Sequence, residues 1–162
     1  MAGTILAAAG LSRLGMSAAA AFAFSFDEML PAVGQGSLAI ETRADDTTVR
    51  ELVAPLLHQP TAVAVRAERA LMRTLEGGCQ VPIAALGELV RHAASDVPAT
   101  AGANELRLRA FVGSLDGTQT VRRELVGDAA APEALGRALA EALLAAGADE
   151  ILEQVRGEAS DG

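Results

Sequence analysis

Apolar and polar positions follow regular periods between residues 46 and 156, and the period changes from helical to strand-like and back. Apolar side chains recur at helical spacing over about 46–57 and 62–75, and Pro55 inside the first stripe predicts a kink or an early end there. Strict alternation, typical of a half-buried strand, runs over 105–113. Further strands are predicted over 81–89 and 120–127, and further helices begin at Pro132 and at Asp149. The apolar stripe over 46–57 consists of Val49, Leu52, Val53, Leu56 and Leu57.

This order of elements predicts an α+β fold for residues 46–156, in which a three-stranded antiparallel sheet is covered by helices. Asp45 or Asp46 is predicted to cap the first helix, and the Asp116–Gly117 pair predicts the hairpin turn between the second and third strands. The helix over 62–75 has an inner face formed by Val63, Ala67, Ala70 and Leu71. Residues 157–162 are mostly small or polar and predict a disordered tail.

Residues 1–44 are less regular, and only Leu38, Ile40 and Thr42 alternate with smaller or polar residues. Short strands are predicted over 3–10 and 36–43. Between them lie an alanine- and phenylalanine-rich run at 17–26, which is either a poorly specified helix or a connector, and a segment that Pro31 and two glycines interrupt. Two strands alone satisfy neither their backbone hydrogen bonds nor the burial of two faces. This N-terminal part is therefore predicted to belong to a larger unit.

The composition narrows the chemistry. The 162 residues carry a net charge of −8, and the 13 basic residues are all arginines. Without lysine, the chain can form neither a lysine Schiff base nor a Walker-type phosphate loop, whereas arginine forks suit carboxylates and phosphates. The acidic balance argues against nucleic acid as a partner. The absence of long uncharged apolar runs argues against a membrane helix, and a single cysteine fits a reducing compartment such as the cytoplasm.

The one cysteine, Cys79, follows two glycines and precedes a proline by three positions. A lone cysteine is commonly a buried, inert residue. The alternative is a presented thiol that acts as a nucleophile or an attachment point, because the glycines leave the backbone free and the thiol uncrowded. His58 and His92 match no zinc spacing, so no metal site is predicted. Taken alone, Arg13 is either a surface charge or a guanidinium fork that binds a ligand. The Gly-Gln-Gly motif around Gln35, taken alone, predicts a tight turn.

Four motifs, read together, carry a family resemblance. "AAAGLSRLGM", "LPAVGQGSLAIETRADD", "AERALMRTLEGGCQVPIAALGEL" and "LRLRAFVGSLDGTQ", in this order, resemble the C-terminal half of the porphobilinogen deaminases, also called hydroxymethylbilane synthases, over residues 3–155. The resemblance implies a transferase of haem biosynthesis that polymerises porphobilinogen into the linear tetrapyrrole hydroxymethylbilane with release of ammonia. It also implies a dipyrromethane cofactor, on which the pyrrole chain grows.

By the same resemblance, Cys79 holds the dipyrromethane through a thioether, Arg13 binds pyrrole carboxylates, and Gln35 belongs to a segment that lines the cleft. Family enzymes have three domains. Residues 1–30 then correspond to a remnant of the second domain, 31–45 to a returning strand of the first, and 46–156 to the C-terminal, cofactor-carrying domain.

The family's catalytic aspartate lies in the N-terminal half, and no aspartate of this chain occupies the matching motif. No catalytic residue is therefore assigned, and the chain is expected to be inactive alone. The alternative is a non-catalytic remnant, or a module of a split enzyme that complements a separate N-terminal half.

Overall fold

The computed structural model describes residues 3–76, 81–90 and 105–160. It contains five α-helices and three strands in these ranges: α1 (Ala8–Arg13), α2 (Thr47–Val53), α3 (Gln59–Thr74), β1 (Ile83–Val90), β2 (Glu105–Gly113), β3 (Thr120–Asp128), α4 (Pro132–Leu143) and α5 (Asp149–Ser160). Short 3₁₀ turns cover Ser17–Ala19 and Ala54–Leu56. The predicted α+β fold with a three-stranded antiparallel sheet is confirmed.

The sheet has the order β1-β2-β3, and both strand pairs are antiparallel. Because β2 lies in the middle, its alternating pattern places one set of side chains on the face that the helices cover. These side chains are all buried: Leu106, Leu108, Ala110 and Val112. Buried residues of α3, α4 and α5 complete the same core.

Helices α3 and α4 approach each other closely at Gly136. A Cβ atom added to this glycine would lie 2.2 Å from the carbonyl oxygen of Ala67 and 2.9 Å from the Cβ of Ala70. The first distance is far shorter than real Cβ contacts and the second is slightly shorter, so the observed packing of the two helices requires glycine at this position.

Local signals set the ends of the elements as predicted. The carboxylate of Asp46 accepts a hydrogen bond from the N–H of Val49 at 3.0 Å and so caps α2. The turn between β2 and β3 has Gly117 at φ +72°, and Asp116 accepts the N–H of Thr118 at 3.1 Å. Gly147, at φ +96°, separates α4 from α5.

The two strands predicted in the N-terminal part are wrong. Residues 3–7 are irregular and lead into α1, and residues 36–43 contain no strand. Within the described residues, an isolated bridge between Ala32 and Ala84 is the only strand-like pairing of this part with the sheet. A strand needs a neighbour for its backbone groups, and the described ranges provide none for these segments.

Two further expectations differ from the structure. The apolar stripe of α2 does not face a core, since Leu52 is 72% exposed and Leu56 and Leu57 are exposed as well. The last helix continues to Ser160 and so includes residues 157–160 of the predicted disordered tail. Residues 161 and 162 lie outside the described ranges.

Candidate functional site

Cys79 lies in the segment 77–80, outside the described residues, but the structure describes both flanks of this segment. On one side, α3 ends at Thr74, and Leu75 is 1% exposed within the core. The carbonyl oxygen of Leu75 accepts a hydrogen bond from the guanidinium of Arg156 at 2.9 Å. Glu76 follows at φ +51°, a left-handed conformation that turns the chain out of the helix. On the other side, the chain enters β1 at Ile83.

Gln35 lies in a tight turn that packs on the edge of β1. Its side-chain Oε1 accepts the N–H of Ala32 at 3.1 Å, and its own N–H donates to the carbonyl of Ala32 at 3.0 Å. The carbonyl of Pro31 accepts the N–H of Ala85 at 3.1 Å, next to the bridge between Ala32 and Ala84. The Gly-Gln-Gly motif is therefore a turn, as predicted, and it is held against the strand that follows the Cys79 segment.

The buried carboxylate of Glu68, on α3, binds the backbone of this turn. Glu68 lies on α3 and is 5% exposed. Its Oε2 accepts the N–H of Gly34 at 2.7 Å, and its Oε1 accepts the N–H of Gly87 at 2.8 Å. Burial raises the pKa of Glu68 above its ordinary value, and the two backbone hydrogen bonds oppose this rise.

Glu68 is not among the site residues that the sequence predicts. Its polarity separates it from the apolar inner face of α3, although in helical projection it lies next to Leu71, at the edge of that face. The available signal was this position, three residues before the fully buried Leu71. A charged residue on an apolar face indicates a specific partner, because an unpaired buried carboxylate is strongly destabilising.

A cleft of about 360 Å³ adjoins the C-terminal flank of the Cys79 segment. Apolar residues form much of its wall, and the guanidinium of Arg122 lies 5.2 Å from the centre of the Phe111 ring. Arg122 also donates to the carbonyl oxygen of Asp27 at 3.2 Å. The carboxylate of Glu28, on the same wall, accepts the N–H and the hydroxyl of Ser25, which lowers the pKa of Glu28.

Arg13 is the last residue of α1 and is exposed. In the described part of the chain it forms no ion pair, so its guanidinium is available to an external carboxylate. The cleft that Gln35 lines does not include Arg13, so the structure does not bring these two predicted site residues together there. For Cys79 the structure gives no position.

Two kinds of feature are absent from residues 3–76, 81–90 and 105–160. No three or more His, Cys, Asp or Glu side chains there form a group that could hold a metal ion. None of the helices in these ranges has the length and apolar character needed to cross a membrane.

Comparisons with known proteins agree with the motifs. Residues 62–145 match the family model described as "Porphobilinogen deaminase, C-terminal domain". Residues 1–51 match the model described as "Porphobilinogen deaminase, dipyromethane cofactor binding domain", and this range contains Arg13 and Gln35. Cys79 falls within the C-terminal match.

Three curated relatives, all named porphobilinogen deaminase, align with nearly the whole chain. The protein of Carboxydothermus hydrogenoformans is 45% identical over 98% of this chain and 47% of its own length. That of Moorella thermoacetica is 49% identical over 95% of this chain and 45% of its own length. That of Desulforudis audaxviator is 48% identical over 96% of this chain and 46% of its own length. The chain thus spans about half the length of the relatives it matches.

Proposed function

The chain belongs to the porphobilinogen deaminase family, and we propose that it is the part of such an enzyme that carries the dipyrromethane cofactor on Cys79. The complete enzyme would polymerise porphobilinogen into hydroxymethylbilane with release of ammonia. The observation that carries the proposal is the packing of the Gln35 turn on β1, the strand into which the Cys79 segment leads. The Gln35 turn and the strand that follows the Cys79 segment thereby meet at one edge of the sheet.

The flanks of the Cys79 segment suit a covalent tether. Leu75 is buried on the N-terminal side, and β1 is hydrogen-bonded to β2 on the C-terminal side. A thioether between Cys79 and a pyrrole carbon would not hydrolyse, so it would keep the growing chain attached. When bound, the cofactor supplies the pyrrole end to which porphobilinogen units are added. A thiol that must stay reduced also supports a cytoplasmic location.

The residues present fit a ligand that carries carboxylates. The exposed guanidinium of Arg13 offers a planar donor fork that has no ion pair among the described residues. The Oε1 of Gln35 is occupied by the N–H of Ala32, which leaves the side-chain NH₂ to donate to a ligand. In this proposal Arg13 and Gln35 bind and orient pyrrole carboxylates, whereas Cys79 retains the chain.

A separate N-terminal half is the second part of the proposal. Large apolar side chains are exposed throughout residues 3–57, and Leu38 is 90% exposed. The exposed set in this range comprises Ile5, Leu6, Leu14, Met16, Phe22, Phe24, Phe26, Met29, Leu38, Ile40, Val49, Leu52, Leu56 and Leu57. Exposed apolar surface of this extent favours a partner, and the relatives contain a further half that this chain does not match. We therefore propose that this chain alone is inactive and acquires its cleft from that half.

The test combines intact mass with turnover. The chain is incubated with porphobilinogen alone and together with the remaining part of the Moorella thermoacetica relative. We expect a dipyrromethane-sized adduct and consumption of porphobilinogen only in the mixture, and loss of both in Cys79→Ser, which removes the single thiol of the chain. Turnover by the chain alone, or turnover in the mixture without an adduct on Cys79, would overturn the proposal. No adduct and no turnover in the mixture would favour the non-catalytic remnant.

A further inference from the structure

Glu68 is the one buried charged residue in the described part of the chain, and the proposed function gives it no role. Its two carboxylate oxygens hold two different segments. Gly34, in the Gln35 turn, precedes Glu68 by 34 residues, and Gly87, in β1, follows it by 19 residues. One side chain of α3 thereby connects the turn, the strand and the helix that leads to Cys79.

The contact also provides a hydrogen-bond acceptor for the edge strand of the sheet. β1 is an edge strand, and the N–H groups of Ala85 and Gly87 are not used in pairing with β2. Pro31 accepts the first of these groups and Glu68 accepts the second. The close approach of α3 depends on Gly87, since a Cβ there would lie 3.0 Å from the Cα of Ala64.

The surroundings of Glu68 contain no compensating charge. A cleft of about 390 Å³ at this position is lined, apart from Glu68, by uncharged residues of the turn, of α3 and of β1. The charged neighbours on these elements point elsewhere. Arg66 and Arg69 are exposed on α3, and Glu88 binds Arg107 and Arg109 on the opposite face of the sheet. Two backbone N–H dipoles therefore provide the specific stabilisation of this carboxylate.

We propose that Glu68 is a positioning residue, whose carboxylate fixes the Gln35 turn and β1 to α3, so that Gln35 keeps one placement relative to β1 and α3. The importance of that placement for ligand binding rests on the proposed function. The placement itself is independent of the proposed function, because it involves neither the cofactor nor Cys79.

The first test follows the wild-type chain by NMR over a pH series. If both oxygens of Glu68 accept N–H bonds, the amide resonances of Gly34 and Gly87 shift together with the carboxyl carbon of Glu68. The amide of Ala85, which is bonded to Pro31, serves as an internal control and does not follow this titration. Failure of the Gly34 and Gly87 amides to titrate with Glu68 would overturn the proposal without any variant.

The second test uses Glu68→Gln, which keeps the size of the side chain but replaces one acceptor with an NH₂ donor. This NH₂ faces an N–H group, so one of the two bonds is lost. We expect amide exchange of Gly34 or Gly87 to accelerate by about tenfold or more, together with a shift of the side-chain amide resonances of Gln35. The matched control is Glu133→Gln, the same change at an exposed ion pair with Arg66. Unchanged Gly34, Gly87 and Gln35 signals in Glu68→Gln would refute the assignment.

A third measurement links placement to loading. In the mixture with the remaining half, adduct formation on Cys79 is expected to be about tenfold slower for Glu68→Gln than for the wild type, and unchanged for Glu133→Gln. Equal rates for all three would overturn the link between the turn and the cofactor. If the wild type forms no adduct, the proposed function fails, whereas the NMR result still decides whether Glu68 positions the turn.

Discussion

Gly136→Ala tests whether contact between α3 and α4 sets the geometry of the helix that leads to the Cys79 segment. The added methyl group would lie 2.2 Å from the carbonyl oxygen of Ala67 and 3.0 Å from the backbone nitrogen of Leu71. The atoms it meets belong largely to the helix backbone, which cannot rotate away. The two helices must therefore separate by about 1 Å to restore an ordinary contact distance.

The expected magnitude follows from two opposing terms. Replacing glycine by alanine inside a helix stabilises it by about 0.5–1 kcal/mol. Overpacking a well-packed core costs about 1–3 kcal/mol and sometimes more. Since the contact at Gly136 falls well below any real Cβ distance, overpacking dominates, and we expect a net loss of about 1–3 kcal/mol in the free energy of unfolding.

Urea unfolding measures this loss, and Gly157→Ala is the matched control. Gly157 lies in α5, and a Cβ there would meet no atom within 4 Å. The control should therefore gain stability by about 0.5–1 kcal/mol, the ordinary helical effect. If Gly136→Ala is as stable as the wild type, the close approach of α3 and α4 is not a property of the folded protein. A loss of stability in Gly157→Ala would refute the use of helix propensity in this comparison.

Three further predictions concern other parts of the chain. Because burial raises the pKa of Glu68, the folded state binds the proton of this carboxyl group more tightly than the unfolded state does. The contribution of Glu68 to the free energy of unfolding therefore falls as pH rises from the ordinary glutamate pKa through the raised pKa. Urea unfolding over a pH series should show this fall in the wild type but not in Glu68→Gln. Residues 36–43 should exchange their amide protons much faster than residues 105–113, as hydrogen exchange with mass spectrometry can show, because they lack strand partners among the described residues; equal protection would contradict the structure. Asp27→Asn should change the free energy of unfolding by less than about 1 kcal/mol in urea, because Asp27 is 90% exposed where it meets Arg109; a larger loss would indicate that this ion pair anchors the N-terminal segment.

The sequence predicted the C-terminal unit well because its pattern is local and unambiguous. In β2 the period of two separates Leu108 from Arg109, and the structure buries the first side chain while the second binds carboxylates on the other face. Asp46, Gly117 and Gly147 each set the end of an element through their own backbone or side-chain chemistry. Such signals act over a few residues, so no partner is needed to interpret them.

The same reasoning failed for residues 3–10 and 36–43, because a strand is defined by its neighbour. Leu38 and Ile40 alternate with smaller or polar residues as a strand would require, yet both are exposed here. The amphipathic stripe of α2 is exposed in the same way, with Leu52 outermost. Apolar periodicity thus predicts that a face will be covered, but it does not say whether the covering element lies in the same chain.

Glu68 is the opposite case, a polar residue that apolar periodicity assigns to the surface but that the structure buries. Apolar periodicity treats a glutamate as a surface residue, whereas the structure uses its two oxygens to satisfy the N–H groups of Gly34 and Gly87. Both donors are glycines: Gly87 allows the close approach of α3 to β1, and Gly34 takes a left-handed conformation at φ +70°. The Gly-Gln-Gly turn, the Ala-Glu-Arg segment of α3 and Gly87 are therefore one interaction, distributed over three motifs. A substitution at any of them should alter the placement of Gln35 relative to β1 more than it alters the core around Leu108.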